Sequence, residues 1–248
     1  MAGKAAPTVT GEKIWLDGSF VDWSEARVHV LTHSLHYGLG VFEGIRCYKT
    51  ADGRSAVFRL AEHVRRLYDS AHINLMEIPF SKATIHDACL ESLRQNHLQE
   101  GYIRPLVFIG DGVMGLNPGS NPIRVAIISW PWGKYLGEEG MARGIRAKIS
   151  TFSRHHVNAK MTPGKACGDY VNSILAKREA LLDGYDEAIM LDTQGLVSEC
   201  TGENIFAVRD DVIRTPPLQT VLDGITRDTL IKLAREGGLE VREVPLTR

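Results

Sequence analysis

Apolar side chains recur at intervals of three and four residues in several stretches of the chain, a spacing that places them on one face of a helix. One predicted helix carries the apolar positions Leu60, Val64, Leu67 and Ala71. A second begins after Ser81, a residue type that caps helix N-termini, and turns its apolar positions inward: Ile85, Ala88, Cys89 and Leu93. Two further helices are predicted, over 171–182 with an end at Gly184, and from 225 to Gly237-Gly238.

Short apolar runs bounded by turn residues predict strands in the first half of the chain. The run 14–21 reads as a strand pair that turns at Asp17-Gly18, and 28–31 reads as a further strand. The runs 103–109 and 124–130 are almost continuously apolar, as buried strands are. Mixed with the helices, they predict an α/β region.

The second half also contains predicted strands. The run 147–152 is one, and hairpins are predicted over 187–199 and over 204–214, the latter turning near Asp210-Asp211. The tail 239–246 begins another strand, for which the sequence predicts no partner. A strand needs a partner strand to satisfy its backbone donors and acceptors. We therefore expect either that this strand pairs with another chain or that the polypeptide has been cut short within its domain.

The glycine- and glutamate-rich stretch LGEEGMARG predicts a domain boundary. We therefore expect an N-terminal α/β domain over 1–133, a linker over 134–144 and a C-terminal domain over 145–248.

Composition narrows the possible partners. A formal net charge of -1, with 24% charged residues, argues against nucleic acid or an anionic membrane as the main partner. The sequence contains neither a secretory signal nor an apolar run long enough for a membrane span, so we expect a cytoplasmic protein. The four cysteines form no CxxC pair and have no metal-ligand spacing, so we predict reduced thiols and no metal.

Lys165 and Glu199 are the residues that first suggest chemistry. Lys165 lies in the tight loop M-T-P-G-K-A-C-G-D-Y, where small neighbours would let a bulky aldehyde approach its amine, although most lysines are solvated surface groups. Glu199 follows at a strand end, where its carboxylate could hold a pyridinium nitrogen protonated or could simply be solvated. Glu203 and Asn204 compete with it for that role.

A phosphate site is indicated at the start of the last helix. The exposed amides of a helix that begins at Gly224-Ile225-Thr226 can bind an anion, although the same pattern is also that of an ordinary capped helix. Arg65 and Arg66 are candidates to assist with a positive charge.

Eight sequence patterns carry a family resemblance. In chain order they are H-Y-G-x-x-V-F-E-G-I-R-C-Y, E-H-V-R-R-L, Y-I-R-P-L, G-x-N-P, W-P-W-G-x-Y-L-G, K-A-x-G-x-Y, S-E-x-x-G-E-N-I-F and G-I-T-R-D. With them the chain resembles, over 14–248, the branched-chain aminotransferases, which are pyridoxal 5'-phosphate (PLP) enzymes of fold type IV. The resemblance implies a two-domain α/β (α+β) fold, with a small N-terminal domain and a larger C-terminal pseudo-barrel.

The resemblance also implies a role for each cofactor residue. Lys165 would form the internal aldimine and move the proton between substrate and cofactor, Tyr170 would bind the phenolate oxygen and Glu199 the pyridine nitrogen. Arg66, rather than Arg65, matches the phosphate-binding arginine. The other implied cofactor positions are Leu222, Gly224, Ile225 and Thr226.

For the substrate, the resemblance implies an apolar wall that accepts a branched side chain, formed by Tyr37, Phe42, Trp132 and Tyr135. Tyr102 would contact the α-carboxylate and Arg104 the second carboxylate of glutamate. Met114 would come from the neighbouring subunit, which implies a homodimer, with a homohexamer as a larger alternative. The same aromatic set is also compatible with an ordinary core, and Tyr48 and Trp130 are the members that fit this best.

The implied reaction is ping-pong amino transfer between L-leucine, L-isoleucine or L-valine and 2-oxoglutarate. Within the same fold, a D-amino acid aminotransferase or an aminodeoxychorismate lyase would keep Lys165, Glu199 and Arg66. Members of the family usually continue beyond the position of Arg248 into a Gly-Thr-Ala-Ala-Glu-like turn that binds phosphate and substrate. We therefore expect this chain to be a C-terminally truncated fragment with weakened cofactor binding, and a catalytically silent chain is a further alternative.

Overall fold

The computed structural model describes residues 9–132, 140 and 142–248. The chain divides into two compact units, Met1–Tyr135 and Leu136–Arg248. Most of the predicted linker, namely 134–139 and 141, lies outside the described residues, as does residue 133. None of the described helices is both long and apolar enough to cross a membrane.

The first unit is built on an antiparallel sheet, in which the described residues contribute seven strands. The strands are β1 (Lys13–Leu16), β2 (Ser19–Asp22), β3 (Gly40–Phe42), β4 (Ile45–Lys49), β5 (Ser55–Val57), β6 (Gly101–Ile109) and β7 (Ile123–Trp130). Their order is β2-β1-β7-β6-β4-β5, and β3 also pairs with β6. The predicted turn at Asp17-Gly18 joins β1 to β2, and the two long apolar runs form the central pair β6 and β7.

Helices pack on this sheet as the apolar spacing predicts. They are α1 (His33–Tyr37), α2 (Leu60–Ile73) and α3 (Lys82–Gln95). All the predicted inward positions of α2 and α3 are buried, so both predictions are confirmed. Ser81 caps α3, since its Oγ accepts a hydrogen bond from the Thr84 amide at 3.1 Å.

The predicted strand at 28–31 is wrong. The chain forms a 3₁₀ turn at Trp23–Glu25 and turns again where the Thr32 amide bonds the His29 carbonyl at 2.9 Å. No strand among the described residues pairs with this segment, and Val30 is 73% exposed. The apolar run thus lies on the surface rather than in a sheet.

The second unit contains two three-stranded sheets within the described residues. Its strands are β8 (Ala147–Ile149), β9 (Glu187–Leu191), β10 (Val197–Cys200), β11 (Ala207–Arg209), β12 (Val212–Thr215) and β13 (Glu240–Glu243), and its helices are α4 (Asp169–Leu182) and α5 (Ile225–Glu236). The sheet orders are β10-β9-β8 and β11-β12-β13. Both predicted hairpins are confirmed, as β9–β10 and β11–β12.

Strand β8 is shorter than predicted. It ends at Ile149 because the Thr151 amide turns to the carboxylate of Glu179, which also accepts the Ser150 hydroxyl. Helix α4 lies against β9 through small side chains, Ala176 and Ala180, which let the two backbones approach closely.

The tail finds its partner inside the chain, which corrects the expectation of an unpaired strand. Strand β13 pairs in parallel with β12, from Val212 opposite Glu240 to Thr215 opposite Glu243. The Val197 amide donates to the Leu246 carbonyl at 2.8 Å, so the tail also contacts the start of β10. The sequence missed this pairing because a parallel partner is separated from the strand by a whole helix.

Candidate active site

A narrow pocket that is partly open to solvent lies in the second unit. Loop 162–165, the start of α4, the end of β10 and the segment before α5 surround it. Its lining residues are Arg154, Thr162, Gly164, Lys165, Asp169, Tyr170, Ser173, Glu199, Thr201, Gly202, Glu203, Asn204 and Leu222. Lys165, Tyr170, Glu199 and Leu222, which the resemblance named separately, are thus brought together in one cavity.

Lys165 and Tyr170 form a direct pair. The lysine lies in the loop that precedes α4, four residues before the helix begins, and the tyrosine lies in the first turn of that helix. The Lys165 Nζ donates a hydrogen bond to the Tyr170 Oη at 2.6 Å, and the amine also lies 5.2 Å from the centre of the tyrosine ring. An amine and a phenol oxygen are therefore held side by side at the cavity wall.

Glu199 is a buried carboxylate, only 6% exposed, at the end of β10. Its Oε1 lies 2.8 Å from a guanidinium nitrogen of Arg154. Its Oε2 accepts from the Asn204 amide nitrogen at 3.2 Å and from the Leu222 backbone amide at 3.1 Å. Burial raises the pKa of the Glu199 carboxyl, and the charge of Arg154 is the largest influence in the opposite direction.

The start of α5 lies next to Asn204, one of the residues that hold Glu199. Gly224 is the N-cap and supplies no side-chain cap, and the helix begins at Ile225, with Thr226 exposed. A Cβ at position 224 would overlap the Asn204 Oδ1, so any other residue there would displace the Asn204 side chain. Because helix N-termini attract anions, this end of the cluster is suited to a phosphate.

Arg66 belongs to the first unit and is held by another buried carboxylate. Its Nε and Nη2 donate to the two carboxylate oxygens of Glu43 at 2.7 and 2.9 Å. His63 Nδ1 lies 2.7 Å from Glu43 Oε2. Although burial alone would raise it, the pKa of Glu43 is lowered to about 2 by these hydrogen bonds and charges. The arginine is thereby fixed in one orientation.

Several predicted substrate residues of the first unit form one aromatic group around Arg104. The guanidinium lies 4.6 Å from the centre of the Phe42 ring and bonds the Tyr102 Oη at 3.1 Å. The Tyr102 ring lies 4.5 Å from that of Trp132. Trp130 is also part of this group, 5.9 Å from the Arg104 guanidinium carbon. A cation within an aromatic wall can accept both an apolar side chain and a carboxylate.

The remaining predicted substrate residues lie outside that group. Tyr37 is exposed and lies against the His33 ring, with 4.5 Å between ring centres. Met114 is exposed in the loop after β6. Tyr135 lies outside the described residues.

Sequence reasoning did not identify Arg154, which contacts Glu199, or Glu43, which contacts Arg66. Arg154 stands in the polar run S-R-H-H, which carries no recognisable signal, and only the fold brings it to Glu199. Glu43 stands in V-F-E-G-I-R, where a charged residue between apolar neighbours was a usable sign of burial. Asn204 was noted as a competitor of Glu199, whereas the structure makes it a hydrogen-bond donor to Glu199.

The family model described as amino-transferase class IV matches residues 40–248. The chain belongs to this family. It is 50% identical, over 235 residues, to the branched-chain-amino-acid aminotransferase of Pseudomonas aeruginosa, and the alignment covers 95% of this chain and 76% of that protein.

Solved structures show the same similarity. The crystal structure of the Escherichia coli branched-chain amino acid aminotransferase superposes with a TM-score of 0.94 at 46% identity, covering 96% of this chain and 79% of that one. The enzyme of the same name from Thermobaculum terrenum, in its PLP form, gives a TM-score of 0.88 at 34% identity, covering 96% and 78%. The predicted fold class is confirmed.

Proposed function

We propose that the chain is a branched-chain amino acid transaminase that transfers the amino group of L-leucine, L-isoleucine or L-valine to 2-oxoglutarate, using PLP bound at Lys165. The observation that carries the proposal is the meeting of Lys165, Tyr170 and the buried Glu199 in one cavity. The names of the similar proteins from P. aeruginosa and E. coli support the choice of substrate.

The residues of the cavity fit PLP by their chemistry. The Lys165 amine suits the aldehyde, Tyr170 the phenolate oxygen and Glu199 the ring nitrogen. The start of α5, at Gly224, Ile225 and Thr226, suits the phosphate, with Arg66 as the proposed basic partner, while Leu222 covers the ring. When bound, the cofactor supplies a sink for the negative charge that develops on the substrate Cα.

Lys165 is proposed to be the catalytic acid and base. In the reaction its amine would take the proton from the substrate Cα and return it to the C4′ carbon of the cofactor, which the imine nitrogen separates from Cα. Tyr170 fixes that amine, because its Oη lies 2.6 Å from the Lys165 Nζ. A buried carboxylate at 199, held by its three donors, holds a proton on the ring nitrogen by accepting its N–H.

The aromatic group of the first unit is proposed to recognise the substrate side chain. Phe42 and Trp132 offer apolar surface, and Arg104 offers a guanidinium for the second carboxylate of glutamate. Tyr102 takes the α-carboxylate. Tyr37 and Tyr135, with Met114 from a second copy of the chain, complete the proposed substrate set.

The proposal includes a homodimer, either alone or as part of a homohexamer. In it, each copy of the chain would supply its Met114 to the substrate site of the other copy. The proposal also includes a cytoplasmic location, which agrees with the reduced state predicted for the four cysteines.

Borohydride reduction in the presence of PLP tests the assignment of Lys165. We expect a stable pyridoxyl adduct on the peptide that contains Lys165 by mass spectrometry, and no adduct there in Lys165→Ala. A substrate panel then tests the reaction, with L-leucine and 2-oxoglutarate as substrates. Turnover of D-alanine without turnover of L-leucine would instead identify a D-amino acid aminotransferase. If no adduct forms on the Lys165 peptide, the proposal that PLP binds at Lys165 is wrong.

A further inference from the structure

Arg154 is one of the three donors that hold Glu199, but none of the proposed roles explains its positive charge. It is 7% exposed, and its backbone amide bonds the Leu191 carbonyl at 2.8 Å, at the end of β9. Since β9 pairs with β10, this bond anchors Arg154 next to the strand that carries Glu199. The side chain lines the cavity, and its Nε is buried without a hydrogen-bond partner among the described residues. A buried arginine in that state is not explained by packing alone.

The hydrogen bonds of Glu199 leave one acceptor position. A carboxylate has about four lone-pair positions. Asn204 and Leu222 use two on Oε2, and Arg154 uses one on Oε1. Among the described residues, the remaining position is therefore on the oxygen that Arg154 holds.

We propose that Arg154 is a positioning residue: it fixes Oε1 of Glu199 and keeps the carboxylate ionised, so that the last acceptor position receives the ring N–H of the cofactor. This inference rests on the proposed function. The charge balance around Glu199 supports it. Burial raises the pKa of the carboxyl and Asp169 adds to that rise, while Arg154, more than Lys165, lowers it. Removing Arg154 should raise the pKa of Glu199 further, which favours the protonated carboxyl, a form that accepts the ring N–H less well.

The first test uses the protein without cofactor, so its result does not depend on PLP binding. The ionisation of Glu199 is followed by NMR of ¹³C-labelled glutamate carboxyl groups, with the signal assigned through Glu199→Gln. We expect the pKa of Glu199 to rise by about one to three pH units in Arg154→Met. Arg154→Lys, which keeps the charge, should move it less. An unchanged Glu199 titration in Arg154→Met overturns the proposal.

Arg227→Met is the matched control. Arg227 is likewise a buried arginine of the second unit, 3% exposed, with one carboxylate partner, Glu243 at 2.9 Å, and an Nε without a partner among the described residues. Its loss should lower the thermal midpoint without moving the Glu199 titration. A shift as large as that of Arg154→Met would mean that any loss of a buried arginine perturbs Glu199, and would overturn the proposal. If Arg154→Met does not fold, Arg154→Gln removes the charge and keeps a hydrogen-bond donor.

The second test adds PLP and follows the visible absorbance of the lysine-bound cofactor against pH. The pH midpoint of this absorbance change in Arg154→Met should be close to that in Glu199→Gln. In Arg227→Met it should equal that of the unaltered chain. A response of Arg154→Met like that of the unaltered chain would contradict the proposal. If the unaltered chain forms no adduct with PLP, the proposed function fails, and the NMR result still decides whether Arg154 controls Glu199.

Discussion

Two buried glutamates show how immediate neighbours decide the charge of a side chain. Glu43 is fully buried, yet the hydrogen bonds and charges of His63 and Arg66 outweigh the cost of burial and lower its pKa to about 2. Glu199 is nearly as buried, but burial dominates there and raises its pKa. The first carboxylate is therefore firmly ionised, whereas the charge of the second depends on its partners.

The lowered pKa of Glu43 predicts an acid-sensitive fold. Its pKa falls from an ordinary 4.5 to about 2 on folding, so its contribution to stability is complete above pH 4.5 and is lost as the pH falls towards 2. The loss corresponds to about 3 kcal/mol in the free energy of unfolding. Urea unfolding between pH 5 and about pH 2 should show this decline in the unaltered chain and a flatter dependence in Glu43→Gln.

Glu77→Gln provides the control for that experiment, because Glu77 is an exposed glutamate of the same unit. It should leave the decline as it is. A Glu43→Gln variant that loses stability with acid as steeply as the unaltered chain would show that the ion pair with Arg66 is not the source.

A second residue-level prediction concerns Gly224. An alanine there would overlap Asn204 Oδ1 and push that side chain away from Glu199 and the Leu222 carbonyl. We expect Gly224→Ala to lower the free energy of unfolding by about 1 to 3 kcal/mol. Gly202→Ala is the control, since a Cβ at 202 meets nothing within 4 Å. If the two variants have equal thermal midpoints, the predicted steric clash between position 224 and Asn204 is wrong.

At the scale of elements, helix α3 depends on its N-cap. The Ser81 Oγ accepts the Thr84 amide at 3.1 Å and satisfies one of the open donors at the helix start. Ser81→Ala should cost about 1 kcal/mol in chemical denaturation, and Ser81→Asp, which can also cap, should recover most of it. If the aspartate variant is as unstable as the alanine variant, the cap is not what stabilises this end.

The elements that could be predicted are those whose signal is local. Helices α2 and α3 follow from apolar spacing, and the β11–β12 hairpin from its turn at Asp210 and Asp211, both of which have positive φ. Pairings between distant segments have no such signal, as the parallel pairing of β12 with β13 shows. The same limit applies to the site. The motif around Lys165 suggested its chemistry, whereas the contact of Arg154 with Glu199 exists only in the folded chain.

At the scale of the whole molecule, the first unit carries several exposed apolar side chains on two neighbouring segments. Val30 and Leu35 lie on or just before α1, and Val113 and Leu116 lie in the loop after β6. The two segments are joined where His33 Nε2 lies 2.7 Å from the Gly115 carbonyl oxygen. A group of exposed apolar side chains is typical of an interface.

A proposed homodimer that buries this group predicts a specific effect of charge. Leu116 is 91% exposed, so Leu116→Glu should not disturb the folded chain itself, but a carboxylate buried at an interface would cost several kcal/mol. Sedimentation velocity should give about twice the chain mass of 27.5 kDa for the unaltered protein and the single mass for Leu116→Glu. Leu75→Glu, 95% exposed in the connection between α2 and α3, should stay dimeric. If both variants keep the double mass, the interface lies elsewhere, and if the unaltered chain sediments as a monomer, Met114 cannot come from a second copy.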